Sequence, residues 1–178
     1  MQVAIEPARA EHLAEISALA AVIWRAHYPG IITPDQIDYM LKRMYDVEVL
    51  RGELESGVTW FRALADDTMR GFASVGPTES AIGFKLHKLY VHPGWQRHGL
   101  GSALLKECEA TARACGVTAL MLNVNKRNER AIAAYLKSGF TIRESIVADI
   151  GGGFVMDDYV MVKSLVETGT VSQSINRQ

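Results

Sequence analysis

The segment that most constrains the fold runs from a strand through a glycine turn into a long helix. Phe84 to Val91 is apolar and strand-like, and Pro93-Gly94 stops it. The turn Gln96-Arg97-His98-Gly99-Leu100-Gly101 then enters an amphipathic helix, Gly99 to Cys115, directly. Leu100, Leu104, Cys108, Thr111 and Cys115 form one stripe of that helix, and Gly116 closes it. A helix that starts on glycines presents bare backbone N–H groups and the positive end of its dipole, so an anion site is expected here. Arg97 and His98 add positive charge at the rim. The spacing matches neither a GxxxxGK[ST] phosphate loop nor a complete GxGxxG dinucleotide fingerprint. Taken alone, the glycines fit equally well a loop that merely turns.

Around this unit the periodicity alternates. Val3 to Glu6 reads as a first strand ended by Pro7. Leu13, Ile16, Ala20, Ile23 and His27 make one face of a helix broken by His27-Tyr28-Pro29-Gly30. Thr33-Pro34-Asp35 starts a second helix, with threonine as N-cap and proline in the first turn. Its face is Ile37, Met40, Leu41 and Met44, and Val47 to Leu54 reads as a further turn or two. Val58 to Leu64 and Met69 to Val75 form a hairpin across Asp66-Asp67. After the long helix come a strand, Thr118 to Val124, and a helix, Asn128 to Ser138, capped by Asn128 and ended by Gly139. Phe140 to Ile150 and Phe154 to Leu165 are closing strands joined by Gly151-Gly152-Gly153. Strands that both pair in hairpins and alternate with helices predict a single α/β (α+β) domain over 1–166 with a mixed sheet. The polar tail, 167–178, is expected to be disordered.

A chain of 178 residues fits one domain, and 48% hydrophobic content supplies its core. A formal charge of −1 argues against nucleic-acid binding. No apolar run reaches the ~18 residues of a membrane span, and Met1 to Ala10 lacks a signal pattern, so a cytoplasmic protein is expected. The five histidines show no metal-ligand spacing, and no metal is expected. Cys108 and Cys115 lie seven residues apart on one helix, roughly 10 Å at about 1.5 Å per residue. That is too far for a disulfide and reads as two buried thiols in a reducing compartment.

Two more segments narrow the anion. Leu89-Tyr90-Val91-His92-Pro93 precedes the turn, and Asn128-Glu129-Arg130-Ala131-Ile132-Ala133-Ala134-Tyr135-Leu136-Lys137-Ser138-Gly139-Phe140 follows it. In this order the three segments resemble the coenzyme A signature of the GNAT N-acetyltransferase family, over roughly Val58 to Leu165. The resemblance implies a central sheet of about seven strands whose fourth and fifth members splay apart to take the pantetheine arm. It implies acetyl-CoA as co-substrate, with the main chain of Leu89, Tyr90 and Val91 along the arm. The turn and first helical residues, Gln96, Arg97, His98, Gly99, Leu100, Gly101 and Ser102, would hold the pyrophosphate. Asn128 would touch the arm or cap its helix.

The implied reaction is attack of a neutral amine on the thioester carbonyl. A backbone N–H near Leu89 to Val91 would stabilise the oxyanion. Tyr135 matches the family's general acid, and a phenol is protonated at neutral pH; the alternative is a packing tyrosine. An alkylammonium must first lose a proton. Where many relatives carry a carboxylate, this chain has His87, either the base or a half-exposed strand histidine. Asp157 and Asp158 are further candidates, as bases, as attraction for a cationic acceptor, or as solvated acids. His27 and Tyr28 join them on the acceptor wall, and Trp24 reads as core.

The resemblance is to the small-amine branch, which includes polyamine acetyltransferases. A protein N-terminal or lysine acetyltransferase, or a CoA-binding module without catalysis, are the alternatives. Relatives that pair through their last strands imply a possible homodimer.

Overall fold

The computed structural model describes residues 2–79 and 82–166. The tail, 167–178, lies outside the described residues. Seven strands form one sheet: β1 (Val3–Pro7), β2 (Thr59–Ala65), β3 (Thr68–Pro77), β4 (Phe84–Val91), β5 (Ala119–Asn125), β6 (Thr141–Gly151) and β7 (Phe154–Ser164). Their spatial order is β1-β2-β3-β4-β5-β7-β6. The helices are α1 (Leu13–His27), α2 (Pro34–Tyr45), α3 (Val47–Glu55), α4 (Leu100–Ala114) and α5 (Glu129–Lys137). The fold is the mixed α/β sheet expected from the sequence.

Helices on the two faces of the sheet bury separate cores. Leu100, Leu104, Cys108 and Ala112 of α4 pack on Ala73, Leu86 and Leu122. Ile16, Ala20, Ile23 and Trp24 of α1 pack with Met40, Leu50, Trp60 and Phe72 on the other face. A fully buried leucine such as Leu104 contributes roughly 1.5–3 kcal/mol. The buried stripe of α4 continues to Ala112 rather than Cys115, which is exposed. The expectation of two buried thiols therefore holds for Cys108 alone, because the helix leaves the sheet before its last turn.

Local chemistry sets the element ends. The Thr33 hydroxyl accepts the Gln36 N–H at 3.2 Å and starts α2. Residues 47–55 are a helix of their own, because Asp46 leaves helical geometry (ψ 138°) and its carboxylate accepts the Glu48 N–H at 3.0 Å. Asp66 and Asp67 both have positive φ, 47° and 59°, as a two-residue hairpin turn demands. The Gly151-to-Gly153 turn is pressed against α2: a Cβ on Gly152 would lie 2.7 Å from the Tyr39 ring. The Tyr39 hydroxyl donates to the Ile150 carbonyl at 2.6 Å and ties the hairpin to that helix.

Two features of β4 position the site. It is the only strand among those described to run parallel to its neighbour β5, and the two share one registered pair, Lys85 with Met121. Beyond that pair they diverge, leaving the sheet open toward Val91 and Asn125. On its other side, β4 is bulged: Leu86 pairs with Val75 and Lys88 with Ser74, so His87 has no partner across the ladder.

Candidate active site

A cavity of about 290 Å³ occupies the opening between β4, the start of α4 and α5. Leu89, Tyr90 and Val91 form its β4 side. Gln96, Arg97, Gly99, Gly101 and Ser102 form the turn side, while Tyr135 and His27 close it. Ten residues expected from sequence thus converge, although they are spread from position 27 to position 135.

The turn is built to expose N–H groups. Gly99 is the N-cap in a left-handed conformation, φ 83°, and no side chain caps the helix. The Ala103 N–H bonds the Gly99 carbonyl at 3.0 Å, so the N–H groups of Leu100, Gly101 and Ser102 precede the helical ladder. Arg97 also holds positive φ, 68°, which costs an L-residue about 1–2 kcal/mol. Strain at such a point is found where backbone geometry serves a ligand. A Cβ on Gly101 would stand 3.8 Å from both Leu89 and Val91, in ordinary contact. Its absence therefore leaves room on the cavity side rather than relieving a clash.

Some expected residues reach the site only through their backbone, or lie outside its wall. The Leu100 side chain is in the core, at 1% exposure, so only its main chain faces the turn. His98 is exposed and its Nδ1 lies 2.9 Å from the Gln96 carbonyl oxygen. The Gln96 amide reaches the Val91 carbonyl at 3.4 Å and braces the end of β4. Asn128 is buried and accepts the Ala131 N–H at 3.3 Å, the cap of α5. Its amide also stands against His27 and Tyr28.

Tyr135 packs edge-on to Phe140, with ring centroids 5.6 Å apart. Burial, then the nearby Tyr28 and Cys108, push its hydroxyl well above the ordinary phenol value, so it stays protonated. Below it, the Tyr28 and Tyr90 hydroxyls are 3.1 Å apart, and Trp24 packs 4.3 Å from Tyr28. Trp24 is core, as expected, and donates to the Tyr45 hydroxyl at 3.2 Å.

His87 is not part of the cavity wall. Its ring faces the main chain of Gly76 and Pro77, and Nε2 is buried without a hydrogen-bond partner among the described residues. Burial, then Lys85 and Lys88, lower it to about 4. Such an imidazole is neutral at pH 7 but holds a proton weakly. His27, in the wall, is also lowered, first by burial and then by Arg130 against the opposing Asn128 contact.

The paired acids differ. Asp157 is exposed and ion-paired with Lys126. Asp158 is 7% exposed, and burial raises it to about 6 against the pull of Lys85. Trp95, Arg130 and Ala134 also line the cavity and were not singled out by sequence. Arg130 was findable: it follows the Asn128 cap by two positions, on the turn of α5 that faces α4. Trp95 was not, because its place depends on the short helical turn Pro93–Trp95 and on Arg70 stacked 4.8 Å from its ring. Among the described residues, no three His, Cys, Asp or Glu side chains cluster as a metal would require. No described helix is long and apolar enough to cross a membrane.

A splayed parallel strand pair, an uncapped glycine helix start and a tyrosine over the gap are joined in one cavity. The model of the acetyltransferase (GNAT) family matches residues 17–140. The chain belongs to the GNAT family. It is an acyl-CoA-dependent N-acetyltransferase with acetyl-CoA as co-substrate. It is 24% identical over 162 residues to a spermidine N(1)-acetyltransferase of Thermoplasma acidophilum, covering 88% of this chain and 97% of that one. It is 31% identical over 156 residues to an uncharacterized N-acetyltransferase of Mycobacterium tuberculosis, covering 85% and 97%. Among solved structures, the PaiA N-acetyltransferase of Thermoplasma acidophilum in complex with coenzyme A superposes with a TM-score of 0.77 at 25% identity, covering 92% and 99%. An acetyltransferase of Salmonella typhimurium with acetyl-CoA gives 0.65 at 22% identity, covering 95% and 97%.

Proposed function

We propose that this GNAT enzyme acetylates a small primary amine, with a polyamine such as spermidine as the representative acceptor. The observation that carries the reading is the single cavity joining the α4 start, the open edge of β4 and Tyr135. The free N–H groups of Leu100 to Ser102, with Arg97 and Arg130 at the rim, suit the pyrophosphate of the donor. The arm then follows the main chain of Leu89 to Val91 into the gap left by β5. A β4 N–H in that stretch donates to the oxyanion. Tyr135 protonates the departing thiolate, a role that its retained proton supports. Asn128 holds the start of α5 against the arm. His27 and Tyr28 form the acceptor wall, and Asp157 and Asp158 give it negative charge for a cationic amine.

The named activity of the Thermoplasma acidophilum relative supports a polyamine. Two free cysteines suit a reducing compartment, and the cytoplasm is the proposed place of work. The β6 edge, with Val147 68% and Ile142 45% exposed, supports a homodimer built along the last strands.

The test is release of free coenzyme A from acetyl-CoA against a panel of polyamines, amino acids, aminoglycosides and lysine peptides. Release that saturates with a small polyamine supports the proposal. Release only with peptides would move the acceptor to proteins. Binding of acetyl-CoA without release on any amine would replace the enzyme reading with a binding module.

A further inference from the structure

An amine acceptor arrives charged, and the reaction requires one of its protons to leave before attack. An unperturbed alkylammonium near 10.4 leaves only about one molecule in a thousand neutral at pH 7.4. His87 is turned to the β3 backbone, its ring against the main chain of Gly76 and Pro77. A base must therefore come from groups at the open end of the strand gap.

Asp158 is there. It pairs across the ladder with Asn125, the last residue of β5, four positions beyond the Met121 pair where β4 and β5 separate. Along β7, Tyr159 and Met161 pack into the α4-side core and Met156 into the α1-side core. Alternation then sets Asp158 on the α1 side of the sheet, the side on which the Tyr28 and Tyr90 hydroxyls meet. Asp158 is 7% exposed, and its Oδ1 is buried with no hydrogen-bond partner among the described residues. A buried carboxylate oxygen left open costs stability unless a ligand fills the position. The groups facing it are the Tyr28 hydroxyl from the end cap of α1, Lys85 from β4, Lys126 from the loop after β5, and Asp157 on its own strand. Neither lysine forms an ion pair with it within 4.0 Å, whereas Lys126 is paired to Asp157.

We infer that Asp158 is the catalytic base that receives the acceptor's ammonium at the open end of the β4–β5 gap and takes its proton. The inference rests on the acetyltransferase reading proposed above. One N–H proton passes to the Asp158 carboxylate, giving a neutral amine. The nitrogen lone pair then forms the C–N bond at the thioester carbonyl, and the C–S bond breaks with its electron pair on sulfur. Tyr135 supplies the thiol proton. The second N–H proton, released from nitrogen after C–N bond formation, restores Tyr135. Asp158 returns its proton to water, so one ammonium and one thioester yield one amide, one thiol and one proton.

Its raised proton affinity, about 6, keeps Asp158 ionised at pH 7.5 yet a better acceptor than an ordinary carboxylate. The test is Asp158→Asn with the acceptor found by the panel. Expected are a kcat/KM at least about 100-fold lower at pH 7.5, coenzyme A affinity within about twofold of wild type, and loss of the acid limb that wild type shows near pH 6. An acceptor analogue fluorinated beside the nitrogen, already neutral at this pH, is expected to recover most of the lost rate. Because one carboxylate oxygen has no partner to lose, the variant is expected to fold, and coenzyme A affinity reports this directly. If it does not fold, the wild-type profile decides alone: no acid limb between about pH 5 and 7 overturns the inference. An unchanged acid limb in Asp158→Asn, or no rescue by the neutral analogue, also overturns it. Wild-type protein that turns over no amine would instead overturn the underlying acetyltransfer to a small amine.

Discussion

Replacing Glu53 by glutamine tests how β4 is held beside the cavity. Lys88 lies on β4 next to the bulge, with a side chain 2% exposed, and its Nζ donates to both Glu53 oxygens at 2.6 and 2.7 Å. At that separation, an effective dielectric of about 20 gives a gross attraction of roughly 6 kcal/mol. Glutamine keeps one acceptor oxygen but no charge. The Tyr45 and Trp60 rings, 5.5 and 5.1 Å from Nζ, keep part of the ammonium's stabilisation. An upper bound follows from deprotonation: a lysine near 10.4 that gives up its proton at pH 7 costs about 4.6 kcal/mol at 1.36 kcal/mol per unit. Glu53 itself is 27% exposed, so water replaces part of the lost pairing. The expected destabilisation is therefore about 3 kcal/mol at pH 7, in the range of a broken buried pair. At pH 9 the deprotonation bound falls to about 1.9 kcal/mol, and the deficit must shrink with it. Urea unfolding of both proteins at the two pH values, with the m-value unchanged, reads this directly. A deficit under about 1 kcal/mol at pH 7, or one that does not shrink at pH 9, would refute the reasoning.

Two further outcomes follow from the same geometry. His87, lowered to about 4, stays neutral in the fold while the unfolded chain takes up a proton below about 6.5, so stability contributed by the neutral ring is lost as pH falls from 6.5 to 4. Wild type should lose about 3 kcal/mol more than His87→Gln across that window in urea titrations; the raised Asp158 acts in the opposite direction in both proteins and cancels in the difference. Arg97→Gly should raise stability by roughly 0.5–1 kcal/mol by relieving the positive φ, while weakening coenzyme A binding several-fold through the lost charge, read by thermal unfolding and by titration calorimetry.

Local chemistry made much of this legible beforehand. The ends of β4 at Phe84 and Val91 follow from its apolar run and the proline after it, and Thr33, Asn128 and Gly116 mark helix ends because caps act within one turn. The anion turn was readable for the same reason. What depended on pairing across the sheet was not. The bulge at His87 exists only in the register of β4 against β3, so a histidine in line with a family carboxylate ends up facing backbone. Asp157 and Asp158 look alike in sequence, and the alternation of β7 between two cores separates one exposed acid from one buried acid. The Lys88–Glu53 pair joins residues 35 positions apart and leaves no periodic trace. Cys115 shares the heptad spacing of Cys108, yet the α4 helix has passed the edge of the sheet by that point.

In the proposed function, donor binding and acid chemistry share one cavity, and Tyr135 protonates the departing sulfur. The most direct measurement is rapid-mixing single-turnover transfer from acetyl-CoA in wild type and Tyr135→Phe, with coenzyme A affinity measured in parallel. The expected result is a chemical step slowed at least about 100-fold, the usual contribution of a positioned acid, with affinity within about twofold. An unchanged chemical step at unchanged affinity would contradict the assignment of Tyr135 as the acid and the orientation of the donor that follows from it.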